Sequence, residues 1–208
     1  DEDRFSGQYI PVEAPEYNEA GEVTGSHVVS KDEGLRETTR EKLATLKPVA
    51  RENGVHTAGN SSQISDGASA VLMMTEEKAN KLGLKARARI VDSCLVGVDP
   101  VLMLTGPIDA TQRLLERNNL KIDDIDVFEI NEAFAVQVIG SARELTIDED
   151  KLNVSGGAIA LGHPFGMTGA RITATLLNNL QTYDKQFGLE TMCVGGGQGM
   201  AMVLERLN

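Results

Sequence analysis

The chain of 208 residues is long enough for one full domain or two small ones with a shared aliphatic core, which excludes a small disulfide-stapled scaffold. With 20 Lys plus Arg against 31 Asp plus Glu, its net charge of -11 repels polyanions, and an aromatic share of 4% without Trp leaves few stacking platforms, so nucleic-acid binding is opposed on both counts. Cys94 and Cys193 form no short-spaced pair, the first residues hold neither a basic nor an apolar signal region, and no uncharged apolar run approaches the roughly 20 residues that cross a bilayer; a reducing, cytoplasmic setting without a membrane span is expected.

Residues 1–34 carry 9 acids and 2 bases, and Pro11, Pro15, Asn18, Gly21, Gly25 and Gly34 interrupt any helical or strand period. They predict a loop-like unit, either draped over a partner surface or solvated as a linker. A start without Met, inside this acidic segment, suggests that something upstream is missing. Residues 36–46 predict an amphipathic helix ended by Pro48. Past Thr57, strand-like and helix-like pieces alternate, the signature of an α/β layer fold. Residues 68–74 predict a buried strand, and Thr75 caps a helix that stops at Gly83. Residues 87–98 alternate as a strand, 107–118 form a helix, 125–130 a short strand, 132–145 and 166–180 two further helices, and 189–194 with 200–204 a closing hairpin.

Three polar or glycine-rich clusters fall where strands end or helices begin: Asn131-Glu132-Ala133-Phe134, then Gly156-Gly157-Ala158-Ile159-Ala160-Leu161-Gly162-His163-Pro164, then Cys193-Val194-Gly195-Gly196-Gly197-Gln198-Gly199. Loops beyond strand carboxyl ends can converge on a ligand without disturbing the core, so one site built from all three is the economical reading. Gly162 and Pro164 fix the direction of His163, which suits proton transfer, although a helix-capping histidine also fits the local pattern. Cys193 precedes three glycines that leave amide groups unshielded, so its thiol is expected to be reachable and acidified; the alternative is an inert buried cysteine, the reading assigned to Cys94. Residues 195–199 neither open a helix nor lead to an acidic residue about 20 positions later, so they are no dinucleotide fingerprint. His27, His56 and His163 are too scattered for a metal site, and chemistry without cofactor or metal is expected.

With these clusters in this order, the sequence resembles the thiolase superfamily, in the carboxyl-terminal part of its 3-ketoacyl-CoA thiolase and acetyl-CoA acetyltransferase members. The resemblance implies a thiolase-like layered α/β fold, with a mixed sheet between helices in residues 57–208, preceded by a loop-domain segment, residues 1–56, that lines the coenzyme A site. It implies thiolytic cleavage of 3-ketoacyl-CoA by coenzyme A, or the reverse Claisen condensation, through an acyl-enzyme on a cysteine of an amino-terminal half absent from this chain. His163 would activate that cysteine and, with a water held by Asn131, bind a thioester oxygen. Cys193 would carry the α-proton, Gly195 would offer a backbone N–H to the oxyanion, and Glu132 would order the asparagine loop. Ser62 matches the family serine that contacts the pantetheine arm, although Asn60-Ser61-Ser62-Gln63 departs from the commoner Asn-Ala-Ser-Gly. Ala58, Phe134 and Arg36 complete the implied coenzyme A contacts; Arg36, with Arg40 and Lys42, either meets the nucleotide phosphates or remains solvated surface charge. A homodimer or homotetramer is implied. A non-catalytic, acyl-CoA-binding partner subunit is the alternative, against which the intact His163 and Cys193 argue.

Overall fold

The computed structural model describes residues 5–207, which divide into one compact unit ending at Arg36 and another beginning at Glu37. In the first, β1 (Val12–Tyr17) and β2 (Val23–Val29) form an antiparallel hairpin. This corrects the expectation of a loop. Asn18 accepts from the N–H groups of Ala20 and Glu22 and so builds the turn, with Gly21 at φ +79. Pro15 is tolerated because each strand of a two-stranded ladder has an open edge, where a missing N–H breaks no bond.

In the second unit, α1 (Arg40–Ala44) is shorter than the expected helix because the Thr39 hydroxyl accepts from the Lys42 N–H and fixes the start there. The helix α2 (Glu76–Leu82) has its Thr75 cap and left-handed Gly83, as the sequence indicates. Residues 68–74, expected as a buried strand, are mostly exposed and irregular, since no described segment offers them a ladder.

Four strands form the sheet: β3 (Ala88–Gly97), β4 (Val127–Ile130), β5 (Phe187–Val194) and β6 (Gln198–Arg206). Their order is β3-β6-β5-β4, antiparallel except for the parallel β4/β5 pair, so the sheet is mixed and β5 and β6 are the expected hairpin. Helices α3 (Gly106–Arg117) and α4 (Ala135–Leu145) cover one face, packing Leu114 and Val138 with Phe128, Ile130, Leu189 and Val203. A four-residue α5 (Ala158–Leu161) precedes α6 (Thr168–Thr182), which covers the other face through Leu176 and Leu180 against Val127 and Leu204. Covering both faces explains why all four residues of β4 are buried, without polar alternation. The expected helix at 132–145 starts only at Ala135, because Phe134 is extended and the Ala135 N–H is taken by Asn60 O at 2.9 Å.

Candidate active site

The parallel strands β4 and β5 end side by side. Asn131, one residue past β4 and only 1% exposed, donates its N–H to Thr191 O at 3.0 Å. Its Nδ2 lies 3.3 Å from His163 Nε2, while its Oδ1 is buried without a hydrogen-bond partner among the described residues.

His163 is aimed by its surroundings. Its backbone N–H donates to Gln63 O at 3.0 Å, and the preceding Gly162 sits at φ +90 with its α-carbon against the Ser65 side chain, a place where any Cβ would overlap. On the far side of the ring, Nδ1 lies 2.7 Å from Thr168 Oγ1, and that hydroxyl donates to Pro164 O at 2.9 Å. A hydroxyl has one proton to give, so Thr168 must accept from His163. This assigns the hydrogen to Nδ1 and leaves Nε2 with its lone pair toward the Asn131 amide. Burial, reinforced by the charge of Arg171, pushes the imidazole below the ordinary histidine range. The result is a neutral, oriented base.

Glu132 ties two of the loops together. Its Oε1 accepts from Asn153 Nδ2 at 2.9 Å and its Oε2 from the Ile159 N–H at 3.1 Å, in the short helix before His163. The absent side chain of Gly157 leaves the room that this carboxylate fills. Asn153 also closes the open edge of β4: its side chain exchanges two hydrogen bonds with the Ile130 backbone, at 2.8 and 2.9 Å, as a neighbouring strand would.

Cys193 stands two residues along β5 from Thr191, the residue that Asn131 bonds; among the described residues no hydrogen bond joins it to His163 or Asn131. The thiol is half-buried, and burial pushes it up more than its own backbone contact lowers it. The expectation of an acidified thiol is therefore corrected: desolvation outweighs the thiol's own backbone contact, and Cys193 rests as a protonated thiol. Gly195 opens the exposed turn between β5 and β6. Cys94 is 4% exposed in the core, in keeping with an inert role.

The segment carrying Ala58 and Ser62 runs along the asparagine loop. Ser62 donates its N–H to Ala133 O at 3.0 Å, Ser61 bridges to Phe134, and the Phe134 ring meets His56 edge-on at 5.6 Å. Ala58 is exposed in the same stretch. Arg36 is exposed at the end of the first unit, and Lys42 lies 3.8 Å from the Glu37 carboxylate. No group of three or more His, Cys, Asp or Glu side chains among the described residues could hold a metal ion.

Residues 84–206 match the family description "Thiolase, C-terminal domain" and residues 1–77 match "Thiolase, N-terminal domain". The chain belongs to the thiolase family. A 3-ketoacyl-CoA thiolase of Vibrio parahaemolyticus is 50% identical over 99% of this chain and 52% of its own length; one of Bacillus subtilis is 47% identical over 98% and 53%. The crystal structure of the Bacillus anthracis acetyl-CoA acetyltransferase superposes with a TM-score of 0.91 at 43% identity, over 98% of this chain and 50% of that one. The human mitochondrial 3-ketoacyl-CoA thiolase in complex with CoA gives 0.81 at 39%, over 87% and 46%. This chain thus spans about half the length of the thiolases it matches.

Within this thiolase chain the exposed apolar residues 68–74, together with Ala58 and Ser62, fall in the amino-terminal match, and all three catalytic-type clusters fall in the carboxyl-terminal one. Sequence reasoning overlooked Gln63, Thr168, Asn153 and Arg171. Thr168 was within reach, as a hydroxyl five residues past a rigidly aimed histidine. Gln63 was not, since it contacts His163 through its backbone carbonyl across 100 positions of chain.

Proposed function

We propose that this chain supplies the acid–base part of a thiolase active site that cleaves 3-ketoacyl-CoA with coenzyme A, or runs the reverse Claisen condensation, together with an amino-terminal half that brings the nucleophilic cysteine. The observation that carries this reading is the relay from Asn131 Nδ2 through His163 to Thr168, which leaves a neutral imidazole whose basic nitrogen, Nε2, faces the Asn131 amide. In cleavage, His163 Nε2 takes the proton of the nucleophilic thiol, whose sulfur adds to the 3-keto carbon. The carbon–carbon bond then breaks, leaving the shortened acyl group on the nucleophile, and the departing acetyl-CoA enolate takes its proton from the Cys193 thiol. Coenzyme A, entering as its own thiol, returns a proton to Cys193 as it takes the acyl group off the enzyme, and the nucleophilic thiolate so released takes back the proton held by His163, so the cycle closes without a cofactor or metal. The exposed Gly195 backbone suits an oxyanion donor, Glu132 keeps the asparagine loop in place, and Ser62, Ala58 and Phe134 contact the coenzyme A arm.

The curated relatives are named 3-ketoacyl-CoA thiolases, and one of the similar solved thiolases is described in complex with CoA, which supports the substrate class. No helix among the described residues is long and apolar enough to cross a membrane. We place the enzyme in the cytoplasm as a homodimer or homotetramer; exposed Ile64, Val101 and Phe165, at 99%, 88% and 82%, supply apolar surface for a partner to cover.

The test is thiolysis of acetoacetyl-CoA and longer 3-ketoacyl-CoA by this chain joined to an amino-terminal thiolase half, with products resolved by mass. Two acyl-CoA products per turnover are expected, and a folded two-half protein that leaves every 3-ketoacyl-CoA intact would reject the reading. In the same protein Thr168→Val removes the acceptor for His163 Nδ1–H and is expected to lower kcat/KM about tenfold, the value of one such hydrogen bond. Thr168→Ser should restore most of it, since the hydroxyl and not the methyl holds the ring.

A further inference from the structure

The short helix α5 ends where the chain turns toward His163, and the turn takes away the donors its last carbonyls would have in a longer helix. The Ala158 carbonyl accepts from the Gly162 N–H at 2.8 Å, which is the last helical bond. The Ile159 carbonyl would next take the His163 N–H, but Gly162 at φ +90 turns that N–H to Gln63 O at 3.0 Å. The Ala160 carbonyl would next take from residue 164, which is Pro164 and has no N–H to give.

Gln63 supplies the donor that both carbonyls lose. Its Nε2 donates to Ala160 O at 3.0 Å and lies 3.5 Å from Ile159 O. Two carbonyl oxygens can only accept, so the amide nitrogen and not the amide oxygen faces them. One residue thus grips the chain on both sides of Gly162: its side chain meets the carbonyls before the turn, and its backbone carbonyl meets the N–H after it.

Gln63 is itself anchored to the asparagine loop. Ser62 donates its N–H to Ala133 O at 3.0 Å, Ala135 donates to Asn60 O at 2.9 Å, and Ser61 bridges antiparallel to Phe134. Residues 60–63 therefore lie along residues 131–135 as a short strand would. Glu132 ties the same loop to the first turn of α5 through the Ile159 N–H. A tie at one end alone would let α5 pivot about it, and Gln63 holds the other end. Between the two ties stand Asn131 and His163, with Nδ2 and Nε2 at 3.3 Å. Gln63 falls in the amino-terminal family match, whereas both loops it joins fall in the carboxyl-terminal one.

We propose that Gln63 is a positioning residue for the reaction: gripping the chain on both sides of Gly162, it keeps the His163 imidazole at its working distance from Asn131. This rests on the reading of His163 as a thiolase base. The Gln63 amide touches no reacting atom; it acts through the placement of the imidazole.

The test is acylation of the two-half enzyme by 3-ketoacyl-CoA without coenzyme A, in a rapid-quench assay that reads amplitude and rate constant separately, alongside kcat and KM for thiolysis. Gln63→Met keeps the backbone carbonyl and the side-chain length but donates nothing. It is expected to lower the acylation rate constant about three- to tenfold, the value of one such hydrogen bond, with full amplitude and an unchanged KM. Gln63→Glu sets a carboxylate against the two carbonyls and should be slower still, whereas Gln63→Lys, whose ammonium donates, should recover most of the rate. A parent rate constant in Gln63→Met overturns the proposal. So does a smaller amplitude at the parent rate constant, which marks a residue that only keeps the fold, and so does a raised KM at unchanged kcat, which marks a substrate contact. Should Gln63→Met fail to fold, a parent rate constant in folded Gln63→Glu overturns it alone, and failure of both to fold overturns it by assigning Gln63 to the fold. A parent enzyme without thiolysis would reject the thiolase reading itself; an active parent with unslowed variants rejects only the role of Gln63.

Discussion

Replacing His163 with alanine in the two-half enzyme is expected to lower kcat/KM for thiolysis by about 10³- to 10⁴-fold, because one side chain serves as both proton acceptor and oxyanion donor. The two roles are successive states of the same ring. Neutral at rest, it presents the Nε2 lone pair; after taking the nucleophile's proton, it presents an N–H to the developing negative charge while Thr168 still holds Nδ1. Loss of the ring therefore slows acylation of the enzyme and its deacylation alike. A rapid-quench assay with labelled acyl-CoA should show no burst of acyl-enzyme and a slow steady rate. Burial and Arg171 together lower the basicity of His163, so the parent enzyme should keep its kcat/KM to a pH below the ordinary histidine range before activity falls. A His163→Ala variant that acylates at the parent rate would remove the imidazole from the mechanism.

The parts of this protein that could be read from the sequence are those whose pattern is set locally. The alternation in β3, the Thr75 cap with its left-handed Gly83, and the β5/β6 hairpin follow from residues within a few positions of one another. Residues 68–74 show the limit, since an apolar run identifies a segment suited to a sheet without supplying its neighbour. The hairpin of β1 and β2 was hidden for a different reason: Pro15 and the glycines look like interruptions until Asn18 folds the turn and places the proline on an open edge. In the site, the three clusters announced themselves because each places reactive side chains or bare glycine backbone where a strand ends or a helix begins. Asn153 did not, because its work is to imitate a missing strand beside Ile130. Glu129 and Glu190 were visible as single acids inside apolar runs, and a buried strand holding one acid asks at once for its proton or its counter-charge. Only the register of β4 on β5 shows that each asks it of the other.

Cys193→Ala is expected to separate the two halves of the reaction. Exchange of labelled coenzyme A into a simple acyl-CoA needs only the nucleophile, His163 and the oxyanion donors, so it should proceed within a few-fold of the parent rate. Cleavage of 3-ketoacyl-CoA should fall by about 10²- to 10⁴-fold, the usual worth of a positioned proton carrier, because the enolate released by carbon–carbon cleavage would have to take its proton from water. The raised thiol sets the direction of the pH effect. A cysteine lifted by burial stays protonated above the ordinary cysteine range, so the parent enzyme should keep cleaving at alkaline pH where a solvent-exposed thiol would already be spent. Condensation needs the thiolate to remove the α-proton, so its rate should still be climbing over that same alkaline interval. Cys193→Ser, with a hydroxyl far less acidic than the thiol, should leave exchange intact and restore little of the cleavage. If Cys193→Ala cleaves 3-ketoacyl-CoA normally, or if a folded sample loses exchange and cleavage together, then Cys193 is not the proton carrier and the acid must come from elsewhere in the site.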